Sequence, residues 1–176
     1  MDIATLGIVQ NEKNENFLFA EKKKGEIGVG VLSGPGGRLK PGETLRECLI
    51  RETREELEVD LAPASLDMVA YIVFHRGRTR FTFLNRILNI FKLGSVPDFG
   101  VYVYLARILS GEIHETAEMI PAWYPLSDAT FNRTYESDRH WLPQAARGER
   151  FYANVYYRNR ARDFDHIEFS PFGTVS

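Results

Sequence analysis

The sequence has little cysteine and no long apolar run. Cys48 is the one cysteine among 176 residues, which excludes an internal disulfide and gives no sign of an oxidising compartment. The longest apolar stretch, 81–93, is interrupted by Arg86, Lys92 and two asparagines, so it is too short and too polar to span a bilayer. The N-terminus lacks the basic and apolar regions of a signal peptide. We therefore expect a soluble, cytoplasmic protein without a membrane partner.

An excess of one charge sign is also missing. The 22 lysines and arginines nearly balance the 24 aspartates and glutamates, which leaves a net charge of −2. This balance argues against a general nucleic-acid coat, so no nucleic-acid partner is expected. Repeats, low-complexity segments and Ser/Pro-rich linkers are absent as well, and the length corresponds to about one domain. The sequence thus predicts a single domain over 1–176, as a monomer or a homodimer.

Apolar segments bounded by turn residues predict several strands and two hairpins, one near each end of the chain. The predicted strands are 4–10, 16–20, 68–74, 99–109, 122–124, 151–157 and 166–169. The 99–109 segment is apolar on both faces and is expected to be central in a sheet. Two helices are predicted, over 44–57 and from 137 or 138 to 148. This mixed order indicates an α+β or α/β sandwich.

The first predicted helix has an unusual charge pattern. It begins with a capping box, in which Thr44 is the N-cap and Glu47 stands at N3. Near its C-terminal end Glu52, Glu55 and Glu56 share one face, where each like-charge pair costs roughly 0.2–0.5 kcal/mol. A divalent cation such as Mg²⁺ or Mn²⁺ would make this arrangement favourable, because both ions prefer oxygen ligands. The alternative is a solvated acidic helix face.

A glycine-dense loop leads directly into this helix and completes a motif. Seven of the 14 glycines lie between Gly25 and Gly42. From there the sequence reads Gly37-x5-Glu43-x7-Arg51-Glu52-Thr53-x-Glu55-Glu56-x-Glu58-Val59. This pattern resembles the Nudix box, Gly-x5-Glu-x7-Arg-Glu-U-x-Glu-Glu-x-Gly-U with U aliphatic. The resemblance covers 23 residues at matching spacing and is far more specific than a lone glycine motif.

The resemblance implies a fold and a chemistry. The expected fold is α/β, a Nudix-type α/β/α sandwich with a mixed central sheet. The family hydrolyses a nucleoside diphosphate linked to another group, with Mg²⁺ or possible Mn²⁺ as cofactor and a small nucleotide as substrate. By resemblance Glu52, Glu55 and Glu56 are metal ligands and catalytic residues, and the Gly36 carbonyl is a further ligand. Arg51 is expected to orient the helix carboxylates, and Glu43 is expected either to form an ion pair with Arg51 or to be structural.

Two residues depart from the box pattern. Thr53 replaces an aliphatic residue, which is a mild change because its methyl group still packs. Glu58 replaces the glycine that ends the helix, and that position requires a left-handed backbone conformation. Glutamate in this conformation is expected to cost about 1 kcal/mol.

The similarity extends beyond the box to the MutT-type oxidised purine nucleoside triphosphatases of this family. Three segments carry it: 22–37, 118–126 and 135–143. By resemblance Glu118 is a further metal ligand or general base. The residues carried over to the substrate pocket are Lys24, Ser33, Phe74, Tyr135, Asp138 and Trp141, with Ile27 as an apolar wall. The alternatives are that Asp138 caps the second helix, that Trp141 is a core residue, and that Glu118 is an ordinary loop carboxylate.

Two departures in this pocket leave the exact nucleotide open. Ser33 stands where the resembled enzymes have asparagine, and Ser137 stands where they have the first of two aspartates. The predicted activity is cleavage of a purine nucleoside triphosphate, oxidised or not, to the monophosphate and pyrophosphate. The alternatives are hydrolysis of a nucleotide sugar or dinucleotide, and a non-catalytic nucleotide-binding module. Because the box carboxylates are all present, the enzyme is favoured.

A basic insertion at about 75–96 lengthens the chain relative to the resembled enzymes. It contains five cations and no carboxylate: Arg76, Arg78, Arg80, Arg86 and Lys92. Packing of this segment on the sandwich is the favoured interpretation. A lid over the phosphates, a dimer contact, and an RNA or lipid surface are the alternatives.

Overall fold

Ten β-strands and three α-helices make up the described part of the chain, which comprises residues 1–13, 15–23, 29–77, 95–159 and 162–172 of a computed structural model. The strands are β1 (Asp2–Gln10), β2 (Asn16–Lys22), β3 (Leu32–Ser33), β4 (Asp60–Leu61), β5 (Asp67–Gly77), β6 (Ser95–Ala106), β7 (Ile108–Ser110), β8 (Met119–Pro125), β9 (Phe151–Asn159) and β10 (Arg162–Pro171). The helices are α1 (Leu45–Leu57), α2 (Asp128–Phe131) and α3 (Asp138–Ala146), and a short 3₁₀ turn spans Pro63–Ser65.

Eight of the strands form one mixed sheet. Its order is β10-β9-β5-β6-β1-β2-β3, and β8 pairs with β2 along the whole of β2. The pairs β1–β6 and β5–β9 are parallel, and the other pairs are antiparallel. β6 lies between β5 and β1, which confirms the central position predicted from its apolar sequence. The strands β4 and β7 form a separate antiparallel pair.

The two faces of the sheet carry two separate apolar clusters. Along β1 and β2 the side chains alternate, so that Ile8 and Phe17 belong to one cluster while Val9 and Leu18 belong to the other. Helix α1 supplies Leu49 and Leu57 to the cluster that contains Val9. Helix α3 supplies its buried residues, Trp141, Leu142, Ala145 and Ala146, to the opposite cluster. A helix therefore covers each face, as the predicted α/β/α sandwich requires.

The predicted elements and the observed ones agree where a strong local signal exists. Both hairpins, β1–β2 and β9–β10, are antiparallel as expected. The capping box at Thr44 is formed, and α1 follows it directly. The elements that the sequence did not predict are short: β3, β4, β7 and α2 have two to four residues each.

Most of the basic insertion lies outside the described residues, since 78–94 are not among them. Its role and the single-domain organisation stay predictions. Within the described ranges, none of the helices combines the length and the apolar character needed to cross a bilayer.

The residue after α1 adopts the strained conformation that the sequence predicts. Glu58 has φ 57° and ψ 27°, which is left-handed, and its N–H donates to the Arg54 carbonyl oxygen. Its side chain gains one exposed contact, since Glu58 Oε2 lies 3.0 Å from His114 Nε2. An exposed contact of this kind contributes little, so the strain is not offset.

We expect Glu58→Gly to raise the free energy of unfolding by about 0.5–1 kcal/mol, because glycine adopts positive φ without a Cβ clash. Urea or thermal unfolding measures the change. The control is Glu58→Ala, which loses the His114 contact but keeps a Cβ, and which should be no more stable than the wild type. A lower melting temperature for Glu58→Gly would contradict the strain.

Candidate active site

Helix α1 presents its carboxylates away from the sheet because its opposite side is buried. Cys48, Leu49, Thr53 and Leu57 are the buried positions of the helix. Thr53, at the position where the family pattern has an aliphatic residue, is fully buried and donates its hydroxyl to the Leu49 carbonyl oxygen at 2.8 Å. The hydroxyl of Thr53 is thus hydrogen-bonded within the helix, and its methyl group can pack on the buried side of the helix.

Arg51 is the centre of an ion-pair network on this helix. Its Nε and Nη2 donate to the two carboxylate oxygens of Glu43 at 2.7 and 3.0 Å. Its Nη1 donates to Glu52 Oε1 at 2.6 Å and to Glu55 Oε2 at 3.0 Å. Nη2 also donates to the Arg38 carbonyl oxygen at 3.2 Å. One guanidinium therefore contacts three carboxylates and ties the helix to the loop before it.

The protonation of the network follows from these contacts. Hydrogen bonds from Arg51 hold the pKa of Glu43 down at about 2, helped by the backbone N–H of Lys40. The same bond to Glu43 raises the pKa of Arg51 above its already high usual value. Glu43 and Arg51 are thus a permanent ion pair at neutral pH, as the resemblance implied.

Glu56 differs from the other carboxylates of the helix. Its Oε2 accepts a hydrogen bond from the Gly36 N–H at 3.0 Å. Burial raises its pKa to about 7, and the charges of Glu52 and Glu118 add to that effect, while the Gly36 bond and Lys22 oppose it. A carboxyl group with a pKa near neutrality suits general acid–base catalysis.

The loop before α1 approaches both β1 and the helix closely. Backbone hydrogen bonds join Thr5 N to the Gly37 carbonyl, and Gly7 N to the Pro35 carbonyl, at 2.9 and 2.8 Å. A Cβ at Gly36 would overlap the Thr5 carbonyl oxygen, and a Cβ at Gly37 would overlap the Glu52 carboxylate. Gly36 therefore requires glycine because its neighbour is backbone, whereas a side chain at position 37 would displace the Glu52 carboxylate.

The donor set of this region fits a hard divalent cation, since it consists of carboxylate oxygens around one buried glutamate. Within the described ranges, however, no three His, Cys, Asp or Glu side chains lie close enough together to hold a metal ion in their present positions. The physical reason is that Arg51 holds Glu52 and Glu55, while Glu56 is bonded to Gly36. A bound cation would compete with Arg51 for these oxygens.

Backbone hydrogen bonds hold Glu118 near the C-terminal end of α1. The carbonyl oxygen of Glu118 accepts from Lys23 N at 2.9 Å, and its N–H donates to Thr116 Oγ1 at 3.3 Å. Thr116 Oγ1 in turn donates to the Glu56 carbonyl oxygen at 2.9 Å. The exposed Glu118 side chain is thereby placed close enough for its charge to act on Glu56.

A cavity of about 360 Å³ extends from Glu56 to the start of α3. Of the sequence-predicted site residues, it brings together Ser33, Gly36, Glu56, Phe74, Tyr135, Asp138 and Trp141. Lys22 and Arg38 line it as well and supply positive charge. Phe74 stacks on Phe99 with 4.7 Å between ring centroids, which gives the cavity an aromatic wall. The cavity therefore combines a polar end with an apolar end.

Asp138 is a cavity residue and not the cap of α3. Ser137 occupies the N-cap position without a capping hydrogen bond from its side chain. The Oδ1 atom of Asp138 accepts from Trp141 Nε1 and from Ser137 Oγ, each at 3.2 Å. Burial raises the pKa of Asp138 to about 7, although these bonds oppose the shift. The capping interpretation is therefore wrong, and Trp141, which is buried in the core, also orients Asp138.

The comparison with known protein families agrees with this geometry. The NUDIX domain model matches residues 2–145. The chain belongs to the Nudix family. It is a hydrolase acting on phosphorus-containing anhydrides, and Nudix hydrolases generally use divalent metal ions and small nucleotide substrates.

Similar proteins include two Nudix relatives and a solved structure. The oxidized purine nucleoside triphosphate hydrolase of Danio rerio is 27% identical over 146 residues, which are 83% of this chain and 80% of that protein. The Mus musculus protein with the same description is 26% identical over 148 residues, covering 83% of this chain and 81% of that protein. The crystal structure of the mutator MutT protein of Bacillus halodurans has the same fold, with a TM-score of 0.67 and 13% identity. The match covers 97% of this chain and 98% of that protein.

The remaining predicted site residues of this Nudix hydrolase lie outside the cavity lining. Arg51, Glu52, Glu55 and Glu118 do not line it. Lys24 and Ile27 fall outside the described residues. Several cavity residues were missed by sequence reasoning, Phe99 and Tyr157 among them. The alternation of Phe151, Ala153, Val155 and Tyr157 along β9 was the available signal, because it places Tyr157 on a buried face.

The raised pKa of Asp138 has a consequence for stability. Its pKa is about 7 in the folded chain against 3.8 as the ordinary value, so the folded chain binds more protons between these pH values. The contribution of this group to stability therefore falls as pH rises from about 4 to about 7. We expect Asp138→Asn to gain stability relative to the wild type over that range, by up to about 4 kcal/mol.

Urea unfolding of the ligand-free chain between pH 5 and pH 8 measures this difference. Glu136→Gln, which alters the exposed carboxylate two residues earlier, is the matched control and should follow the wild type. Parallel stability curves for Asp138→Asn and the wild type would show that the buried carboxyl does not titrate in this range.

Proposed function

We propose that this Nudix hydrolase is a Mg²⁺-dependent nucleotide pyrophosphohydrolase. Its substrate would be a purine nucleoside triphosphate, oxidised purines included, and its products the monophosphate and pyrophosphate. The observation that carries the proposal is that one cavity joins Glu56, a partly buried carboxyl beside the loop glycines, to Asp138, a buried carboxyl beside aromatic rings. A nucleoside triphosphate likewise has its charge at one end and its base at the other.

The polar end suits the reacting phosphates. Glu52, Glu55, Glu56 and Glu118, with the Gly36 carbonyl, would hold the cation, which supplies positive charge against the phosphate oxygens. Lys22 and Arg38 would add positive charge from the cavity wall. Glu56 would accept the proton of the attacking water at a carboxylate oxygen. Arg51 would position Glu52 and Glu55 without touching the substrate.

The apolar end suits a base. The aromatic rings of Phe74 and Tyr135 would stack on the base, and Asp138 would form hydrogen bonds to the base edge. The relatives named as oxidized purine nucleoside triphosphate hydrolases support a purine. Ser33 would offer one hydroxyl where those enzymes offer an amide, which has separate donor and acceptor atoms. Discrimination among purines would therefore depend chiefly on Asp138.

Glu56→Gln tests the catalytic assignment. With Mg²⁺ present we expect kcat to fall about 10²–10⁴-fold, because the amide cannot accept the proton. Pyrophosphate release is measured from a panel of normal and oxidised nucleoside triphosphates, nucleotide sugars and dinucleotides. The control is Glu58→Gln, the same substitution two residues further along, which should retain full turnover.

Each result of this panel has a distinct meaning. Equal turnover by Glu56→Gln and the wild type would overturn the assignment of Glu56. Turnover of nucleotide sugars or dinucleotides alone would overturn the triphosphate proposal. A wild type that binds nucleotides and hydrolyses none would favour a regulatory nucleotide-binding module.

A further inference from the structure

One threonine hydroxyl joins the end of α1 to the loop that precedes β8. Thr116 is a buried residue of that loop, and its Oγ1 donates to the Glu56 carbonyl oxygen at 2.9 Å. The same Oγ1 accepts from the backbone N–H groups of Glu118 and Met119, at 3.3 and 3.1 Å. The direction of all three bonds is fixed, because a carbonyl oxygen only accepts and a backbone N–H only donates. These three bonds together form the Thr116 bridge.

The Thr116 bridge supplies a hydrogen-bond donor that the end of α1 lacks. Glu56 lies in the last turn of the helix, where the carbonyl groups have no N–H partner within the helix. The Thr116 hydroxyl bonds to this carbonyl from a different part of the chain. A hydroxyl has one proton and two lone pairs, so these three bonds use its whole hydrogen-bonding capacity. The helix end thereby fixes the position of Thr116.

The backbone of Glu118 is held on both sides, although its side chain is exposed. Its N–H donates to Thr116 Oγ1, and its carbonyl oxygen accepts from Lys23 N at 2.9 Å. The loop has a further attachment to β2 and the residue after it, since Lys23 Nζ donates to the Thr116 carbonyl oxygen at 3.1 Å. Because packing does not fix an exposed side chain, the position of its backbone sets the region that the carboxylate can reach.

We propose that Thr116 is a positioning residue, whose hydroxyl holds Glu118 beside the end of α1, so that the loop and the helix bind one divalent cation together. This inference rests on the proposed function, in which Glu118 and Glu56 both hold the cation. Thr116 itself would not touch the cation, because its hydroxyl has no lone pair left. It would act through Glu118 alone.

Removal of the hydroxyl breaks all three bonds at once. Thr116→Val keeps the shape of the side chain, but the Glu56 carbonyl and two backbone N–H groups lose their partner. Because burying these groups without a partner is costly, the loop is expected to move until water reaches them. The Glu56 carboxylate has its own bond to the Gly36 N–H at 3.0 Å, so the loop is expected to shift and the helix to stay in place.

A double-mutant cycle with Glu118→Gln tests the proposal. Mn²⁺ binding without nucleotide is followed by electron paramagnetic resonance, and we expect Thr116→Val and Glu118→Gln each to weaken it about tenfold. The double variant should bind Mn²⁺ no more weakly than Glu118→Gln does, because Thr116 acts through Glu118. Thr116→Ser, which keeps the hydroxyl, should bind Mn²⁺ as the wild type does.

Thr130→Val is the matched control. Thr130 is also buried, and its hydroxyl donates to the Pro125 carbonyl oxygen at 2.8 Å, at the opposite end of β8. Its loss should lower the melting temperature, as Thr116→Val does, and leave the Mn²⁺ affinity unchanged. For turnover of a nucleoside triphosphate, Thr116→Val should raise the Mg²⁺ concentration of half-maximal activity about tenfold, with KM for the nucleotide nearly unchanged.

Unchanged Mn²⁺ affinity in Thr116→Val would overturn the proposal, as would unchanged affinity in Glu118→Gln. An equal effect of Thr116→Val with and without the Glu118 carboxylate would overturn it as well, because a merely structural loss does not depend on Glu118. If the Mn²⁺ affinities change as expected while the wild type hydrolyses no nucleotide, the positioning role of Thr116 stands and the proposed hydrolysis fails.

Discussion

Electrostatic repulsion on α1 is the constraint on which the rest of the site depends. Glu52, Glu55 and Glu56 share one face of a helix, where like charges at this spacing destabilise it. Arg51 relieves part of that repulsion by donating to Glu52 and Glu55, and its ion pair with Glu43 fixes the guanidinium in place. Glu56 is left out of this network and is partly buried instead. One arginine thus separates two ion-paired carboxylates from one that it does not contact.

The loop glycines and the sheet place this carboxyl at one end of a cavity. The loop approaches β1 closely enough that Gly36 has no room for a side chain, and its N–H is therefore available to Glu56. At the other end, α3 supplies Asp138 and Trp141, and β9 supplies Tyr157. Because α1 and α3 pack on opposite faces of the sheet, the proposed catalytic residues and the proposed base-binding residues lie in separate layers of the fold.

The sequence was sufficient for features that depend on local interactions. The capping box at Thr44, the left-handed Glu58 and the two hairpins all follow from short-range patterns, and the structure confirms them. The parallel pairing of β5 with β9 depends on long-range register, and that register brings Tyr157 to the site unpredicted. Ser137, which its spacing placed in the base pocket, is fully buried and stands among the residues around the cavity. The basic insertion had no such pattern, and its role remains a prediction.

The central claim is that Glu56 is the residue around which a divalent cation is held. Binding of Mn²⁺, followed by electron paramagnetic resonance in the wild type, Glu56→Gln and Glu58→Gln, tests it most directly. We expect Glu56→Gln to weaken Mn²⁺ binding at least about tenfold, and Glu58→Gln to bind Mn²⁺ as the wild type does. Equal affinities in all three proteins would contradict it.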